Sequence, residues 1–229
     1  MNLMKKERYV IIVAGGKGKR MQNNIPKQFL EVGGKPLIMR SVEAFFSFDN
    51  QIKIVLVLPK SELSLWIELC SKHQFRIACK LVEGGKERFF SVKNGLKEVP
   101  NNALVAIHDG VRPFPSKATI QNTFNTADKF GNAVPVIDPV DSLRKTDEKG
   151  NNLSVIRSQY KLVQTPQVFD ASILKKAYEQ PFSHNFTDDA SVIEAIGEKI
   201  QLVEGNRENI KITTPFDLLV AESICKSLC

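Results

Sequence analysis

The sequence predicts an α/β protein in which helices cover both faces of a Rossmann-like, mostly parallel sheet, with a β-hairpin arm attached. Short and nearly continuous apolar runs alternate along the chain with longer stretches of helical periodicity. Such runs are typical of parallel strands buried on both faces, and the stretches between them are long enough for right-handed crossovers. The alternation is interrupted once, by a polar segment rich in turn residues, which predicts the arm.

The predicted elements of the first half alternate regularly. The strands are residues 9–13, 52–58, 103–107 and 133–137. The helices are residues 36–48, 60–73, 88–99 and 116–130. Pro36 suits a helix start because its fixed φ is already helical. Ligands of such sheets bind at the carboxyl ends of the strands, so functional residues are expected in the loops that follow them.

The alternation breaks after Pro139. Segments 142–145 and 153–157 flank a turn-rich stretch and predict a hairpin, which is too small and polar to have a core of its own. We therefore expect an arm at about residues 139–160 that lies against a second subunit, within a single domain spanning residues 1–229.

The chain then returns to regular elements. They are a strand at 161–165, a helix that Asp170 opens, a helix opened by residues 187–189, a strand at 199–203 and a C-terminal helix. In the last helix Thr214 and Asp217 have the spacing of a capping box, and Pro215 suits the first helical position.

Composition restricts the class of protein without identifying a function. A hydrophobic fraction of 42% and a charged fraction of 25% are ordinary for a globular protein. No apolar run approaches the length of a membrane span and no signal core precedes the first strand, so a cytoplasmic protein is expected. The net charge of +7 favours anionic ligands. The four cysteines form no C-x-x-C pair and are expected to be reduced thiols.

A cationic, glycine-rich loop follows the first predicted strand. Gly15, Gly16 and Gly18 are interleaved with lysines and Arg20, and Lys27 follows closely. Glycine lets backbone N–H groups approach phosphate oxygens, yet neither GxxxxGK[ST] nor GxGxxG is present. The charge density predicts a polyphosphate ligand whose charge must be offset during reaction. The alternative is a flexible turn with solvated lysines.

A carboxylate follows the third predicted strand. Asp109, in the stretch IHDGVRPF, would suit Mg²⁺, which takes one or two carboxylates together with substrate phosphates. Arg112 could bind a phosphate in a bidentate way. Alternatively, Asp109 caps the next turn and Arg112 pairs with it. His108 should pack beneath the site, because successive side chains on a strand point to opposite faces.

Two further stretches carry weaker signals. In EGGKERFFSV, Gly84 and Gly85 would allow close backbone approach to a flat ligand such as a base, and Ser91 could donate a hydrogen bond. Arg88 and Ser91 could equally be ordinary helix surface. Lys211 is predicted on a short strand before the last helix, where a lone lysine is usually solvated.

These motifs, taken in order, resemble those of one family. The stretches are AGGKGKRM, PKQF, GG-x-x-R-x-x-SV, HDGVRP, QTPQVF, TDDAS and NIKITTPFDL. From about Tyr9 to the last helix, the chain resembles the 2-C-methyl-D-erythritol 4-phosphate cytidylyltransferases of the non-mevalonate isoprenoid pathway. The resemblance implies a fold of the nucleotide-diphospho-sugar transferase type, CTP and a phosphorylated polyol as substrates, Mg²⁺ or another divalent cation, and a homodimer. Ribitol-5-phosphate cytidylyltransferases share most of the motifs, so ribitol 5-phosphate is the alternative acceptor.

The resemblance implies a role for each matching residue. The catalytic residues would be Arg20, Lys27, Arg157 and Lys211. The nucleotide would be bound by Ala14, Gly15, Gly16, Gly18, Gly84, Gly85, Lys86 and Ser91. The acceptor substrate would be bound by Asp109, Arg112, Ser142, Arg157, Thr165 and Lys211, and Asp109 would also hold the metal. Because the arm pairs two subunits in the family, Ser142 and Arg157 of one chain would complete the other's pocket.

The chemistry that the resemblance implies needs no general base. A phosphomonoester has a second pKa of about 6, so the attacking phosphate is already largely dianionic at pH 7. The obstacle is repulsion between two anions, which the cations must offset. A non-catalytic nucleotide-binding protein and a nucleic-acid-binding domain are the alternatives of another class. We expect no nucleic-acid or membrane partner, because most phenylalanines lie in apolar patterns and the charge is dispersed outside the first loop.

Overall fold

The computed structural model of the chain describes residues 6–15 and 25–228, which form one large sheet, two small sheets and seven helices. The strands are β1 (Arg8–Val13), β2 (Glu31–Val32), β3 (Lys35–Pro36), β4 (Lys53–Leu58), β5 (Lys80–Glu83), β6 (Leu104–Asp109), β7 (Asn132–Ile137), β8 (Arg144–Thr146), β9 (Asn152–Ser154), β10 (Leu162–Val163), β11 (Gln167–Asp170) and β12 (Leu202–Glu204). The α-helices are α1 (Leu37–Phe48), α2 (Leu63–Lys72), α3 (Arg88–Leu96), α4 (Lys117–Phe130), α5 (Ala171–Ala177), α6 (Asp189–Glu194) and α7 (Pro215–Leu228). Short 3-10 turns lie at Lys27–Phe29, Lys60–Glu62 and Arg157–Gln159.

The large sheet is mostly parallel, which confirms the predicted fold class. Its strand order is β10-β7-β11-β6-β1-β4-β5, and β12 pairs with β7 outside this path. The central strand β1 is parallel to both β4 and β6, so the carboxyl ends of these three strands meet at one edge. Strands β10 and β11 run antiparallel to their neighbours. No helix in the part of the chain described here has both the length and the apolar character to cross a membrane.

Both faces of the central strands β1, β4 and β6 are buried, as the continuous apolar runs predict. On β1, Val10 and Ile12 face a core layer that includes Phe45 and Phe124. Ile11 and Val13 face the opposite layer, formed with helices α3, α5 and α6. Burying each such side chain contributes about 1.5–3 kcal/mol. The register of β1 is therefore fixed by packing on both sides, and this holds the loop after β1 at the strand-end edge.

The hairpin strands β8 and β9 pair antiparallel and are exposed. Both lie nearer to the turn than the predicted segments 142–145 and 153–157. The reason is the turn itself, in which the Asp147 carboxylate accepts hydrogen bonds from the backbone N–H groups of Lys149 at 3.0 Å and Asn151 at 2.9 Å. The packing of the arm against a second subunit stays a prediction.

Three predictions about regular structure in the second half were wrong. Lys211 is not on a strand, because Ile212 makes a single backbone bond to Val111 while the N–H groups of Thr213 and Thr214 donate to Asp217. The predicted strand 161–165 is only the two-residue β10, and β11 follows Pro166 as a separate strand between β6 and β7.

The third correction concerns β12, which begins at Leu202 rather than at residue 199. Before Leu202, the backbone bonds to the side chain of Asn132 instead of to a neighbouring strand. The Asn132 amide accepts a hydrogen bond from the Gln201 N–H and donates one to the Lys199 carbonyl. The helix starts were predicted correctly. Asp170 and Asp188 cap α5 and α6, and Thr214 and Asp217 form the expected reciprocal bonds at α7.

Candidate active site

A cavity of about 420 Å³ lies at the carboxyl ends of β1, β5 and β6. Eight of the residues predicted from the sequence border it: Ala14, Gly15, Lys27, Gly85, Lys86, Ser91, Asp109 and Lys211. They come from five separate stretches of the chain, and the three stretches that follow β1, β5 and β6 meet because parallel strands end at the same edge of the sheet. The cavity is therefore where the fold predicts a ligand site.

The other predicted residues have different positions. Gly16, Gly18 and Arg20 lie outside the described residues. Gly84, Arg112, Ser142, Arg157 and Thr165 are described but do not border the cavity. Thr165 accepts a hydrogen bond from the Asp109 N–H, Arg112 pairs with the Asp109 carboxylate, and Gly84 donates to the Leu58 carbonyl. Ser142 and Arg157 belong to the exposed arm.

Asp109 is the anionic centre of the site. It is the last residue of β6 and is buried, and its Oδ2 lies 2.9 Å from Lys211 Nζ and 3.6 Å from Arg112 Nε. Its Oδ1 lies 3.4 Å from Arg88 Nε. Burial alone would raise the pKa of Asp109, but the charges of Arg88, Lys211 and Arg112 outweigh it and hold this pKa well below its usual range. The carboxylate is thus ionised, and the three cations leave the floor of the cavity positive.

Arg112 is held inside this cluster. Besides facing Asp109, its Nη1 donates a hydrogen bond of 2.8 Å to the backbone carbonyl of Asn209. The alternative reading from the sequence, in which Arg112 pairs with Asp109, describes the contacts in this structure.

The donor set around Asp109 fits a metal ion that is shared with phosphate groups. Among the side chains described, no three His, Cys, Asp or Glu residues lie together where they could hold a metal. Asp109 provides one buried and ionised carboxylate next to a cavity large enough for phosphates. Mg²⁺ is commonly coordinated by one or two carboxylates together with substrate oxygens. A metal held by protein side chains alone would not fit.

A chain of buried hydrogen bonds supports Asp109 from below. The Asp109 N–H donates to Thr165 Oγ1 at 3.1 Å, and that hydroxyl lies 3.1 Å from His108 Nδ1. His108 Nε2 lies 2.9 Å from the carbonyl of Arg112. Burial lowers the pKa of His108 to about 4, so the ring is neutral at pH 7 and donates from Nε2. His108 thus packs beneath the site, as expected, and Thr165 contacts the backbone of Asp109.

Gln28 fixes the position of Lys27, and sequence reasoning missed it. The two residues share a 3-10 turn. The fully buried Gln28 amide donates to the carbonyl of Ala14 at 2.8 Å and also to the carboxylate of Glu62. These bonds tie the Lys27 turn to the beginning of the glycine-rich loop. The motif PKQF was the only signal in the sequence, because nothing there shows what the glutamine contacts.

The glycines after β5 form a tight wall. The Gly85 N–H donates to Ser91 Oγ at 3.1 Å, and the Gly84 N–H donates to the carbonyl of Leu58 at 2.8 Å. A Cβ atom on Gly85 would lie 2.3 Å from the Cβ of Phe90, so only glycine fits. Ser91 is buried, so the alternative that it is ordinary helix surface was wrong.

Arg88 is the main functional candidate that the sequence did not single out. It is the first residue of α3, and its guanidinium bridges two carboxylates, Asp109 through Nε and the fully buried Asp189 through Nη2 at 2.7 Å. Its position in GG-x-x-R was visible, but Asp189 lies 101 residues further along the chain. The alternative that Arg88 is ordinary helix surface was therefore also wrong.

Ser142 and Arg157 lie on exposed parts of the arm. Arg157 donates a hydrogen bond to the backbone carbonyl of Val140. The same region exposes large apolar side chains, with Val140 63%, Leu153 56% and Ile156 64% accessible. Exposed apolar groups gathered in one region are typical of an interaction surface.

The sheet, with a cationic cavity at its strand ends that is walled by glycines, is typical of an α/β nucleotidyltransferase. Comparison with known proteins identifies the family. Residues 9–227 match the family described as IspD, 2-C-methyl-D-erythritol 4-phosphate cytidylyltransferase, and the chain belongs to this family.

Individual relatives agree with the family. The chain is 55% identical to the 2-C-methyl-D-erythritol 4-phosphate cytidylyltransferase of Bacteroides fragilis over 217 residues, which cover 95% of this chain and 99% of that protein. It is 53% identical to the protein of the same name from Phocaeicola vulgatus, with 94% and 98% covered. Among solved structures, the 4-diphosphocytidyl-2C-methyl-D-erythritol synthase of Anaerococcus prevotii superposes with a TM-score of 0.82 at 28% identity, with 96% of each chain covered.

Proposed function

We propose that this protein joins CTP to 2-C-methyl-D-erythritol 4-phosphate, giving 4-diphosphocytidyl-2-C-methyl-D-erythritol and pyrophosphate. The observation that carries the proposal is the cluster at the strand ends, where Lys211, Arg88 and Arg112 surround Asp109 beside the glycine wall. Membership of the family supplies the two substrates. A positive floor beside a wall of glycine backbone suits a nucleoside triphosphate.

The acceptor phosphate would attack the α-phosphorus of CTP in line. A bond forms between the acceptor oxygen and this phosphorus while the bond to the bridging oxygen breaks, and pyrophosphate leaves with that electron pair. No proton has to be removed, because the acceptor phosphate is largely dianionic at pH 7. Lys27 and Lys211, together with Arg20, would offset the charge that gathers at the α-phosphate.

The wall after β5 would hold the nucleoside. Backbone groups of Gly84 and Gly85 can meet the edge of a cytosine ring, and Ser91 already fixes the Gly85 N–H. Lys86 is exposed at the rim of the cavity, where it could reach a ribose or phosphate oxygen. Ala14 and Gly15, with Gly16 and Gly18, would surround the triphosphate.

The proposed cofactor is Mg²⁺ or another divalent cation, with Asp109 as its protein ligand. When bound, the ion would neutralise triphosphate charge and orient its oxygens. Exchange of the Asp109–Lys211 contact for a contact with the ion would release the lysine to the phosphates. Arg112, held by Asp109 and Asn209, would face the acceptor side of the same cluster.

The proposed acceptor is 2-C-methyl-D-erythritol 4-phosphate rather than ribitol 5-phosphate. Both are phosphorylated polyols, and the loop residues do not separate them. Relatives at 53% and 55% identity over nearly the whole chain are named for the former, which supports it.

We further propose a homodimer in which Ser142 and Arg157 of one chain complete the substrate pocket of the other, with Thr165 supporting the pocket from below. The support is that neither arm residue borders the cavity of its own chain, while the arm exposes Val140, Leu153 and Ile156. Apolar side chains of this size are commonly covered by a partner.

The test is a side-by-side assay of purified protein with CTP, Mg²⁺ and each acceptor, following the release of pyrophosphate. We expect release with 2-C-methyl-D-erythritol 4-phosphate, slow or no release with ribitol 5-phosphate, and loss of activity when Mg²⁺ is chelated. Lys27→Ala should lower turnover by about a hundredfold while the fold stays intact. Consumption of CTP with neither acceptor would contradict the proposal.

A further inference from the structure

Arg88 forms a buried ion pair with Asp189 beside the cavity, and the chemistry proposed above gives Asp189 no role. We propose that Asp189, assisted by Tyr178, is a positioning residue that fixes the Arg88 guanidinium against Asp109 and so keeps Lys211 available to the triphosphate. This inference rests on the proposed function, because it assigns the pair a role in CTP binding. Neither Asp189 nor Tyr178 borders the cavity, so both act through Arg88.

The contacts give Arg88 a single arrangement. Its Nη2 lies 2.7 Å from Asp189 Oδ2 and its Nε lies 3.4 Å from Asp109 Oδ1. The second oxygen of Asp189 accepts a hydrogen bond of 2.6 Å from the Tyr178 hydroxyl. Both oxygens of a fully buried carboxylate are thus occupied, and the planar guanidinium bridges two anions as a lysine could not.

Asp189 is itself held by rigid elements. It is the first residue of α6, whose N-cap Asp188 accepts the Ser191 N–H at 2.9 Å. Gln167 on β11 donates to Asp188 and accepts from Ala190, each at 2.9 Å. These bonds join the start of α6 to the central sheet. The Tyr178 ring stacks on Phe89 with centroids 4.6 Å apart, next to Arg88 on α3.

The energetics favour a role beyond stability. A buried ion pair gains little over apolar side chains of similar volume, because desolvation offsets the attraction. The Arg88–Asp189 pair contacts a second carboxylate, Asp109, which borders the cavity. The main effect of the pair is therefore on the charge of the site. With Arg88 fixed, Asp109 divides its oxygens between Arg88 on Oδ1 and Lys211 on Oδ2.

Loss of Asp189 would disturb this division. Without the 2.7 Å contact to Asp189, the Arg88 guanidinium keeps only its 3.4 Å contact with Oδ1 and loses the bond that orients it. Lys211 and Arg112 would then compensate a larger share of the Asp109 charge. Lys211 would be held more tightly by the carboxylate and would be less available to phosphate. The expected consequence is weaker CTP binding, together with a lower kcat, because Lys211 would also offset the charge at the α-phosphate.

The experiment compares Asp189→Asn with Ser191→Ala in the full-length protein. The asparagine keeps the shape but removes the charge, and we expect the KM for CTP and its calorimetric Kd to rise about tenfold, the equivalent of one charge-assisted hydrogen bond. Ser191→Ala weakens the cap of the same helix without touching Arg88, so it should lower thermal stability and leave both constants unchanged. Equal KM and Kd values for the two variants would overturn the inference.

Two further variants distinguish an effect on folding stability from an effect on the position of Arg88. Tyr178→Phe keeps the ring on Phe89 and removes only the hydroxyl, so a smaller rise in the KM for CTP is expected. The double change Arg88→Gln with Asp189→Asn provides a neutral amide pair, which should recover stability relative to Asp189→Asn but not CTP affinity. Recovery of both would make the pair purely structural. An inactive wild-type protein would contradict the proposed function. If the wild-type protein is active and Asp189→Asn has the same KM for CTP, only the inference about Asp189 is contradicted. The calorimetric Kd for CTP tests this inference whether or not the wild-type protein is active.

Discussion

Lys211 depends on its neighbours for its role. In the sequence it is a lone lysine, and a solvated side chain would be the ordinary expectation. In the fold its Nζ lies 2.9 Å from Asp109 Oδ2, at the border of the cavity and still 42% exposed. Because its side chain remains partly exposed at the cavity border, Lys211 can exchange a carboxylate for a phosphate without leaving the site.

Replacement of Lys211 tests whether this charge acts during the reaction. Lys211→Ala should lower kcat by about a hundredfold, because one cation that stabilises the transition-state charge is lost. The measurement is steady-state pyrophosphate release with saturating CTP. Lys97→Ala, directly after the C-terminal end of α3 and away from the cavity, is the control and should behave like wild type. A Lys211→Ala enzyme with normal kcat and raised KM would mean that Lys211 only binds substrate.

Gln28 gives a second prediction at this scale. Burial raises the pKa of Glu62, and the hydrogen bond from Gln28 opposes that rise. Gln28→Leu should cost about 1–3 kcal/mol of unfolding free energy, because the Ala14 carbonyl and the Glu62 carboxylate both lose a buried donor. Activity should fall as well, since the Lys27 turn is no longer tied to the loop. Chemical unfolding and CTP turnover, measured together, check this.

A control for Gln28 is available on an exposed helix surface. Gln121→Leu removes an amide that bonds only Asn125 on the same helix, so neither stability nor turnover should change appreciably. If Gln28→Leu matched Gln121→Leu in both measurements, the tie between the loop and the Lys27 turn would be unimportant.

Residue chemistry explains which parts of the site were predictable. Gly85, Asp109 and Lys27 were found because glycines that admit a flat base, a strand-end carboxylate and clustered cations each have a direct use with a nucleotide. Arg88 and Asp189 were missed because their importance depends on a contact between the two side chains, which are 101 positions apart in the sequence. Periodicity and motif chemistry carry no information on such a contact.

At the scale of elements, strands and helices with strong periodicity were predicted to within a few residues. Strand β11 was missed because only three residues separate it from β10, and the stretch containing both reads as one interrupted apolar run. Its antiparallel insertion between β6 and β7 is decided by pairing with distant strands. The segment with Lys211 was wrongly predicted to be a strand for a related reason. The N–H groups of Thr213 and Thr214 donate to Asp217 at the start of α7 and so cannot pair with a strand.

That cap provides a prediction that depends on pH. The Asp217 carboxylate accepts hydrogen bonds of 2.8 Å from the N–H groups of Thr213 and Thr214. Burial alone would raise the pKa of Asp217, but these bonds and the threonine hydroxyls lower it overall. A lowered pKa means that the stabilisation is complete above the unfolded pKa of about 3.9 and is lost as the pH falls below it.

Asp217→Ala should therefore destabilise the protein by about 1 kcal/mol at pH 7 and by less at pH 3. Unfolding in urea at the two pH values measures the difference. Asp128→Ala, at an exposed position of α4, is the matched control and should change neither value. A cost that is equal at both pH values would show that the carboxylate charge does not matter.

At the scale of the whole molecule, the described cavity lacks any residue from the arm. Ser142 and Arg157 do not border it, although the family resemblance gives both a role with the acceptor. The two facts agree if each arm serves the other subunit of a symmetric dimer. The turn residues in the sequence predict the hairpin. They do not predict what the arm packs against, because in the proposed dimer that surface belongs to the other subunit.

Subunit complementation tests this arrangement directly. Lys27→Ala and Arg157→Ala should each inactivate the homodimer. In a heterodimer of the two, one pocket combines an intact Lys27 with an intact Arg157 from the other chain, and the second pocket lacks both. The tagged and purified heterodimer should therefore show about half of the wild-type activity, because one of its two sites is complete.

The opposite geometry gives a different result. If Arg157 served its own chain, each pocket of the heterodimer would lack one of the two cations, and activity would stay as low as in the parent variants. A heterodimer of Lys27→Ala with Lys211→Ala is the control: both residues border the same cavity, so no pocket is complete and no recovery is expected. Leu153→Asp places a charge in the exposed apolar region of the arm, and it should shift sedimentation towards a monomer and abolish recovery, because the arm could no longer reach the second pocket.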